Sequence, residues 1–308
     1  MASTTLPLSL TDLSSQLSST VERASQYIVA IRARRRIPSS GIIWRDGLIV
    51  SASHTVRRDG SVPVTLPNGD SLDATVVARD PETDIVVLRA DGLPAPAPRA
   101  QPAESSVGSL VLAVGRPGRD ASASFGIVSA SIDGWRAQQG RRIDGVLRLD
   151  LSVYDGFSGG PLVAASGGAI GLNNSALAGG AAAALPARVV DSIVDDLLSR
   201  GHVSRPFIGI AVHPVMLTES MAGRLNLDRA DGLLVLSVAE DTPAGRAGMQ
   251  VGDVLLEING TRLTSPAELL DALQATGADE SASVRLARAS ELKTVTVTPI
   301  DRNTGRDH

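Results

Sequence analysis

The 308-residue sequence contains no cysteine, which excludes a thiol nucleophile, a disulfide framework and any zinc or iron–sulfur site held by thiolates. Aromatic residues are almost as scarce, with two Trp, two Tyr and three Phe. The core must therefore be built from Val, Leu, Ile and Ala, and surfaces that stack on RNA or single-stranded DNA are not expected. A formal net charge of -4 offers no electrostatic attraction to polyphosphate either, so no nucleic-acid partner is expected. Lysine occurs once, at Lys293, against 28 arginines, which argues against a Ser/Lys dyad or a Schiff-base lysine. The four histidines are His54, His202, His213 and His308, so few residues can serve as an ordinary general base. No apolar run of about 18 residues exists for a membrane span. Met1 to Gln16 lacks the basic n-region and apolar h-region of a signal peptide. The protein as written is expected to be cytoplasmic, or extracytoplasmic if its start codon is wrongly assigned.

What is present has a globular balance, with 43% apolar and 20% charged residues, and a length that predicts roughly two domains. Apolar positions Leu13, Leu17, Val21 and Ala24 recur at helical spacing near the N-terminus. The basic run Arg32 to Arg36 reads either as a solvated turn or as a site for an anionic partner. Between Ile42 and Leu185, short β-branched runs alternate with Gly, Pro, Asn and Asp, which predicts barrels or sandwiches instead of βαβ units. The Pro/Ala-rich stretch Leu93 to Ala103 interrupts them as a linker between two β halves would. Helical spacing returns from Ala187 to Ser199 and is ended by Gly201. Pro206 opens a further segment with a strand expected over Phe207 to Val212, others at Gly232 to Val238, Val254 to Ile258, Ser283 to Leu286 and Thr294 to Thr298, and a helix from Pro266 after the cap residue Ser265.

The string Gly156-Phe157-Ser158-Gly159-Gly160-Pro161 sets a serine in a glycine-rich turn before a strand. Such a turn lets amide N–H groups, here those of Gly156 and Ser158, converge on one external point and stabilise an oxyanion. It is also compatible with an ordinary Gly-rich hairpin. A serine hydroxyl is a weak nucleophile until a base takes its proton. His54 follows the apolar strand Leu48-Ile49-Val50 at a strand-to-turn junction, a setting that also suits a surface histidine. Asp84 immediately precedes the apolar run Ile85 to Leu88, where a carboxylate needs a hydrogen-bond donor, supplied by an imidazole or by a cap on Thr83. The order His54, Asp84, Ser158, with spacings of 30 and 74 residues, is the sequence order of the chymotrypsin class.

Residues 20 to 200 resemble the HtrA/Deg serine proteases. The resemblance is carried by Ser40-Gly41-Ile42-Ile43-Trp44 leading to His54, by Asp80-Pro81-Glu82-Thr83-Asp84-Ile85, by Gly115-Arg116-Pro117-Gly118, by Gly126-Ile127-Val128-Ser129 and by the Ser158 string. It implies a mostly β fold, a chymotrypsin-like double β-barrel of six strands each, with His54 as general base, Asp84 as orienting carboxylate and Ser158 as nucleophile. Phe207 to Ile300 resembles the PDZ domain of that family, through Thr242-Pro243-Ala244-Gly245, Val251-Gly252-Asp253-Val254-Leu255 and Ile258-Asn259-Gly260. There Phe207, Ile208, Gly209 and Ile210 correspond to the loop that receives a peptide's C-terminal carboxylate. The implied organisation is an N-terminal extension over 1–24, a trypsin-like protease domain over 25–200, a PDZ domain over 201–300 and a frayed tail over 301–308.

The resemblance further implies unfolded or misfolded proteins as substrates, peptide C-termini as PDZ partners, a homotrimer, and neither metal nor organic cofactor, since a triad with a backbone oxyanion hole needs none. Departures from the family pattern are Phe157 in place of an Asn, the Ala/Gly segment Gly179 to Ala184 in place of a Phe-bearing S1 wall, no long insertion before His54, and few N-terminal aromatics beyond Tyr27 and Trp44. Two readings follow: an ATP-independent serine endopeptidase, and an inactive protease fold that binds peptides as a scaffold or holdase.

Overall fold

The computed structural model describes residues 9–34, 37–136, 142–143, 145–177, 181–227, 229–289 and 291–302. Arg35, Arg36, Gly179, Gly180 and residues 303–308 of the expected tail lie outside the described residues. The molecule divides into two compact units, Met1–Val203 and Ser204–His308.

The first unit opens with α1 (Leu10–Ser25), started by a reciprocal cap in which Ser9 Oγ accepts from the Asp12 amide and Asp12 accepts from Ser9. Its stripe Leu17, Val21 and Ala24 packs on the barrel core. Six antiparallel strands then close a barrel: β1 (Ile28–Ile31), β2 (Ser39–Arg45), β3 (Leu48–Ala52), β4 (Ser61–Thr65), β5 (Ser71–Asp80) and β6 (Ile85–Arg89), in the order β1-β2-β3-β6-β5-β4. The second barrel is made from β7 (Leu110–Gly115), β8 (Ser122–Ile132), β11 (Val146–Asp150), β12 (Pro161–Ala164), β13 (Ala169–Asn173) and β14 (Ala183–Pro186), with a small ribbon of β9 (Trp135–Arg136) and β10 (Arg142–Ile143) beside it. The linker predicted at Leu93 to Ala103 falls between β6 and β7. The two six-stranded barrels expected from the resemblance are both present.

Successive strand residues point to opposite faces, so a strand buried at every position must be covered on both. Ile85 to Leu88 of β6 are all fully buried, and α2 (Ala187–Arg200) packs over β5, β6, β13 and β14, bridging the two barrels. The buried stripe of α2 is Val190, Ile193, Val194 and Leu197, each worth about 1.5–3 kcal/mol of apolar burial. The helix stops at Gly201, whose φ of 76° suits a residue without Cβ. Trp44 Nε1 donates to Asp191 of α2 at 2.7 Å, and the Arg99 guanidinium lies 3.5 Å over the Trp44 ring. Tyr27 is buried with its hydroxyl on the Gly167 carbonyl. Both N-terminal aromatics are thus spent inside the unit.

The second unit contains β15 (Pro206–Phe207), β16 (Ile210–Met216), α3 (Glu219–Arg224), β17 (Asp231–Val238), α4 (Pro243–Arg246), β18 (Val254–Ile258), β19 (Thr261–Arg262), α5 (Pro266–Thr276), β20 (Ala282–Arg288), β21 (Glu291–Val297) and β22 (Ile300–Asp301). Its main sheet runs β16-β17-β18-β20-β21, with β19 on β18 and β15 paired to β22. The single strand expected over Phe207 to Val212 is broken in two. Gly209 has φ +87°, and a Cβ there would lie 2.3 Å from Thr242 Cβ, so the backbone turns where Thr242 leaves room only for glycine. Strands β1 and β14 have no counterpart in the sequence expectations: Ile28 to Ile31 directly follows a helix, and Ala183-Ala184-Leu185-Pro186 has little β-branched character.

Candidate active site

Pairing of β3 with β6 sets Ala52 opposite Ile85, which carries the two strand ends, His54 and Asp84, to the same edge. His54 sits in a single 3-10 turn, Ser53–Thr55, and Asp84 occupies the tight turn into β6 with φ +58°, a left-handed conformation that Asp tolerates better than most residues. Its carbonyl accepts from Ser53 N–H at 2.9 Å. Its carboxylate is nearly buried and doubly satisfied: Oδ1 accepts the His54 amide at 2.6 Å, and Oδ2 lies 2.5 Å from His54 Nδ1. A carboxylate only accepts, so Nδ1 carries a hydrogen, and in the neutral imidazole Nε2 is then the acceptor. The capping role open to Asp84 belongs to Asp80, which accepts from Thr83 N–H and from Thr83 Oγ1.

Ser158 lies on the turn between β11 and β12 of the second barrel. Within Gly156–Gly160, the amides of Phe157, Gly159 and Gly160 donate to Tyr154, Asn173 and Phe157 carbonyls. Among the described residues, those of Gly156 and Ser158 have no protein acceptor. Gly156 has φ +86°, and a Cβ on it would stand 2.7 Å from Pro117 Cβ and 2.8 Å from the Pro38 carbonyl. The turn is pinned from behind: Ser40 Oγ donates to the Gly156 carbonyl at 2.5 Å and accepts the Arg116 amide at 2.7 Å. Arg116 itself is buried, and its guanidinium donates to the carbonyls of Ile28, Arg119 and Ser25. Burial draws its pKa below the usual arginine range, with Asp120 partly offsetting. Neither Ser40 nor Arg116 received a role from sequence; a polar pair, Ser39-Ser40, buried at the head of an apolar strand was the available signal.

Phe157 is buried and packs inward, edge-on to the Tyr154 ring at 5.5 Å and against the bare face of Gly115. Ser158 Oγ is hydrogen-bonded to Ser175 Oγ at 2.9 Å and accepts the Ser175 amide at 3.3 Å. Among the described residues no hydrogen bond joins it to His54. Ser175 is a site neighbour that the sequence reading missed. In the Ala/Gly segment, Ala183 and Ala184 are buried in β14 opposite Arg148 and Leu147.

In the second unit, the amides of Ile208 and Gly209 have no protein acceptor among the described residues, while their carbonyls accept from Ala244 and Ala239. Phe207 pairs with Ile300, with the Arg302 guanidinium 5.7 Å from its ring. Ile208 fills the core, and Ile210 begins β16. His202 is the penultimate residue of the first unit, His213 is exposed on β16, and His308 lies outside the described residues.

Residues 39–172 match the family model of a trypsin-like peptidase domain, and residues 234–288 match that of a PDZ domain. A probable periplasmic serine endoprotease, DegP-like, of Brucella suis is 32% identical over 279 residues, covering 84% of this chain and 52% of the relative. The chain belongs to the HtrA/Deg family. A second relative, the chloroplastic Protease Do-like 1 of Arabidopsis thaliana, is 32% identical over 285 residues, covering 84% of this chain and 62% of its own length. The chain thus spans half to three-fifths of these curated relatives. A solved serine endoprotease from Yersinia pestis superposes with a TM-score of 0.75 at 26% identity, covering 96% of this chain and 99% of that one. An HtrA-type protease, AlgW, solved with a tripeptide, gives a TM-score of 0.72 at 26% identity over 92% of this chain and 97% of that one.

Proposed function

We propose that this protein is an ATP-independent serine endopeptidase of the HtrA/Deg type that cleaves unfolded or misfolded protein. The observation that carries the reading is the bidentate hold of Asp84 on His54, through the backbone amide and Nδ1 together, at the strand edge that the sequence order predicts. Ser158 Oγ attacks the scissile carbonyl as His54 Nε2 takes its proton; the same nitrogen then protonates the leaving amine. Asp84 keeps the imidazole in the required tautomer and stabilises its cation. The free amides of Gly156 and Ser158 receive the oxyanion. Ser158 turns from Ser175 to His54 when substrate enters. The inactive-scaffold reading has no support from the named relatives, which are proteases.

The second unit captures peptide C-termini, with the carboxylate on the amides of Ile208 and Gly209 and the peptide added as a strand beside Ile210. A homotrimer is part of the proposal, held by surfaces that do not use Tyr27 or Trp44. The test is casein digestion by the wild type and by Ser158→Ala, with a loss of order 10⁶ in kcat expected for the variant. Retention of substantial cleavage by purified Ser158→Ala contradicts the assignment. For the second unit, a peptide with a free apolar C-terminus should bind the full-length protein in fluorescence anisotropy, and its amidated form should not.

A further inference from the structure

One residue of the basic run, Arg34, has a defined place beside the proposed site. Arg34 donates from Nη2 to the His54 carbonyl at 3.2 Å, which sets a guanidinium against the backbone of the proposed general base. The segment immediately after His54 adds Arg57 and Arg58, both exposed. Arg79 braces that segment by donating to the carbonyls of Val56 and Arg58, and it pairs with Asp59 at 2.8 Å. Asp59 is therefore matched to Arg79, and Asp84 to His54. Among the described residues no carboxylate pairs with Arg34, Arg57 or Arg58. Three unmatched cations on adjoining segments repel one another, an effect screened beyond the Debye length of about 8 Å at physiological salt.

Chemistry fixes which part of a substrate meets them. The leaving amine takes its proton from His54, so the substrate residues that follow the cut bond depart across the histidine. The strand-connecting segment that carries Arg34 also reaches the oxyanion turn, since the Pro38 carbonyl stands 2.8 Å from where a Gly156 Cβ would be. We propose that Arg34, Arg57 and Arg58 form a subsite for acidic side chains just after the scissile bond. The inference rests on the protease reading and adds a substrate class to it. Attraction of this kind acts on ground and transition states alike, so it is read in KM more than in kcat.

The experiment uses three fluorogenic peptides identical except at two positions: Gln-Gln after the scissile bond, Glu-Glu after it, and Glu-Glu before it. An exposed ion pair is worth about 1.4- to 5-fold, so two should raise kcat/KM for the second peptide over the first by about 2- to 25-fold. The gain should lie in KM and shrink toward unity between about 50 and 500 mM salt. A triple Arg→Gln variant at 34, 57 and 58 should bring the ratio close to one, and the triple Arg→Lys variant should retain most of it. The salt series on the wild type requires no variant to fold. Equal rates for the first two peptides with normal cleavage overturn the subsite alone. So does an equal gain from Glu-Glu before the bond, or a ratio unchanged in the folded Gln variant. If no peptide is cut and Ser158 fails to react with a phosphonate, the protease reading falls and the subsite with it.

Discussion

The Ser158 hydroxyl is hydrogen-bonded to the Ser175 hydroxyl at 2.9 Å, not to His54. The proposed nucleophile is thus held by a residue 17 positions later, on the stretch after β13, through that residue's hydroxyl and amide, and must give up these bonds to reach His54. A typical hydrogen bond contributes about 0.5–1.5 kcal/mol net, so removing this one should favour the reactive rotamer by about two- to tenfold. Ser175→Ala is expected to react faster with a serine-directed phosphonate by that factor. A slower reaction would mean that Ser175 aligns the nucleophile instead of competing for it.

Ser40 ties the first barrel to the turn of the second that is proposed to hold the oxyanion. Ser40→Ala removes the donor to the Gly156 carbonyl and leaves the buried Arg116 amide without its acceptor. The expected result is a fall of about tenfold or more in kcat with KM little changed, as expected when a backbone donor is misplaced by a fraction of an ångström. Stability should drop by about 1–3 kcal/mol in urea unfolding. An unchanged kcat would show that the turn holds its shape without this tie.

How much of this was legible in sequence depended on separation along the backbone. His54, Asp84 and Ser158 each announce themselves locally: a polar residue at the end of an apolar run, a carboxylate at the lip of another, a serine among glycines. Their order completes the pattern. Ser40 meets Gly156 across 116 positions, and no local pattern encodes that contact. The left-handed backbone at Asp84 and the capping by Asp80 were equally hidden, because two aspartates flank Thr83 and either can serve a turn. β14 escaped notice because its alanines carry no strand signature until Leu147 and Leu172 pair with it. The break at Gly209 is decided by Thr242, which is distant in sequence.

The second unit contains a nearly buried carboxylate, Asp253, facing Arg288 at 2.7 Å. Burial pushes its pKa up, but the Arg288 guanidinium and the Gln250 amide outweigh this and hold it below the ordinary value. A depressed folded pKa contributes stability that is present above the unfolded value of about 3.9 and is lost as pH falls through the folded one. Urea unfolding of wild type and Asp253→Asn should therefore show a gap at pH 7 that closes as pH drops below about 4. A gap that is constant with pH would contradict this. Arg288→Ala, which strands the carboxylate, should cost about 3 kcal/mol at pH 7.

Covalent labelling by a serine-directed fluorophosphonate, located by mass spectrometry of tryptic peptides, tests the central claim most directly. The account predicts a single adduct on Ser158, absent from Ser158→Ala and strongly reduced in His54→Ala, since only a serine served by a base is nucleophilic enough to react. No adduct on the folded wild type, or labelling of Ser158 undiminished in His54→Ala, would contradict it.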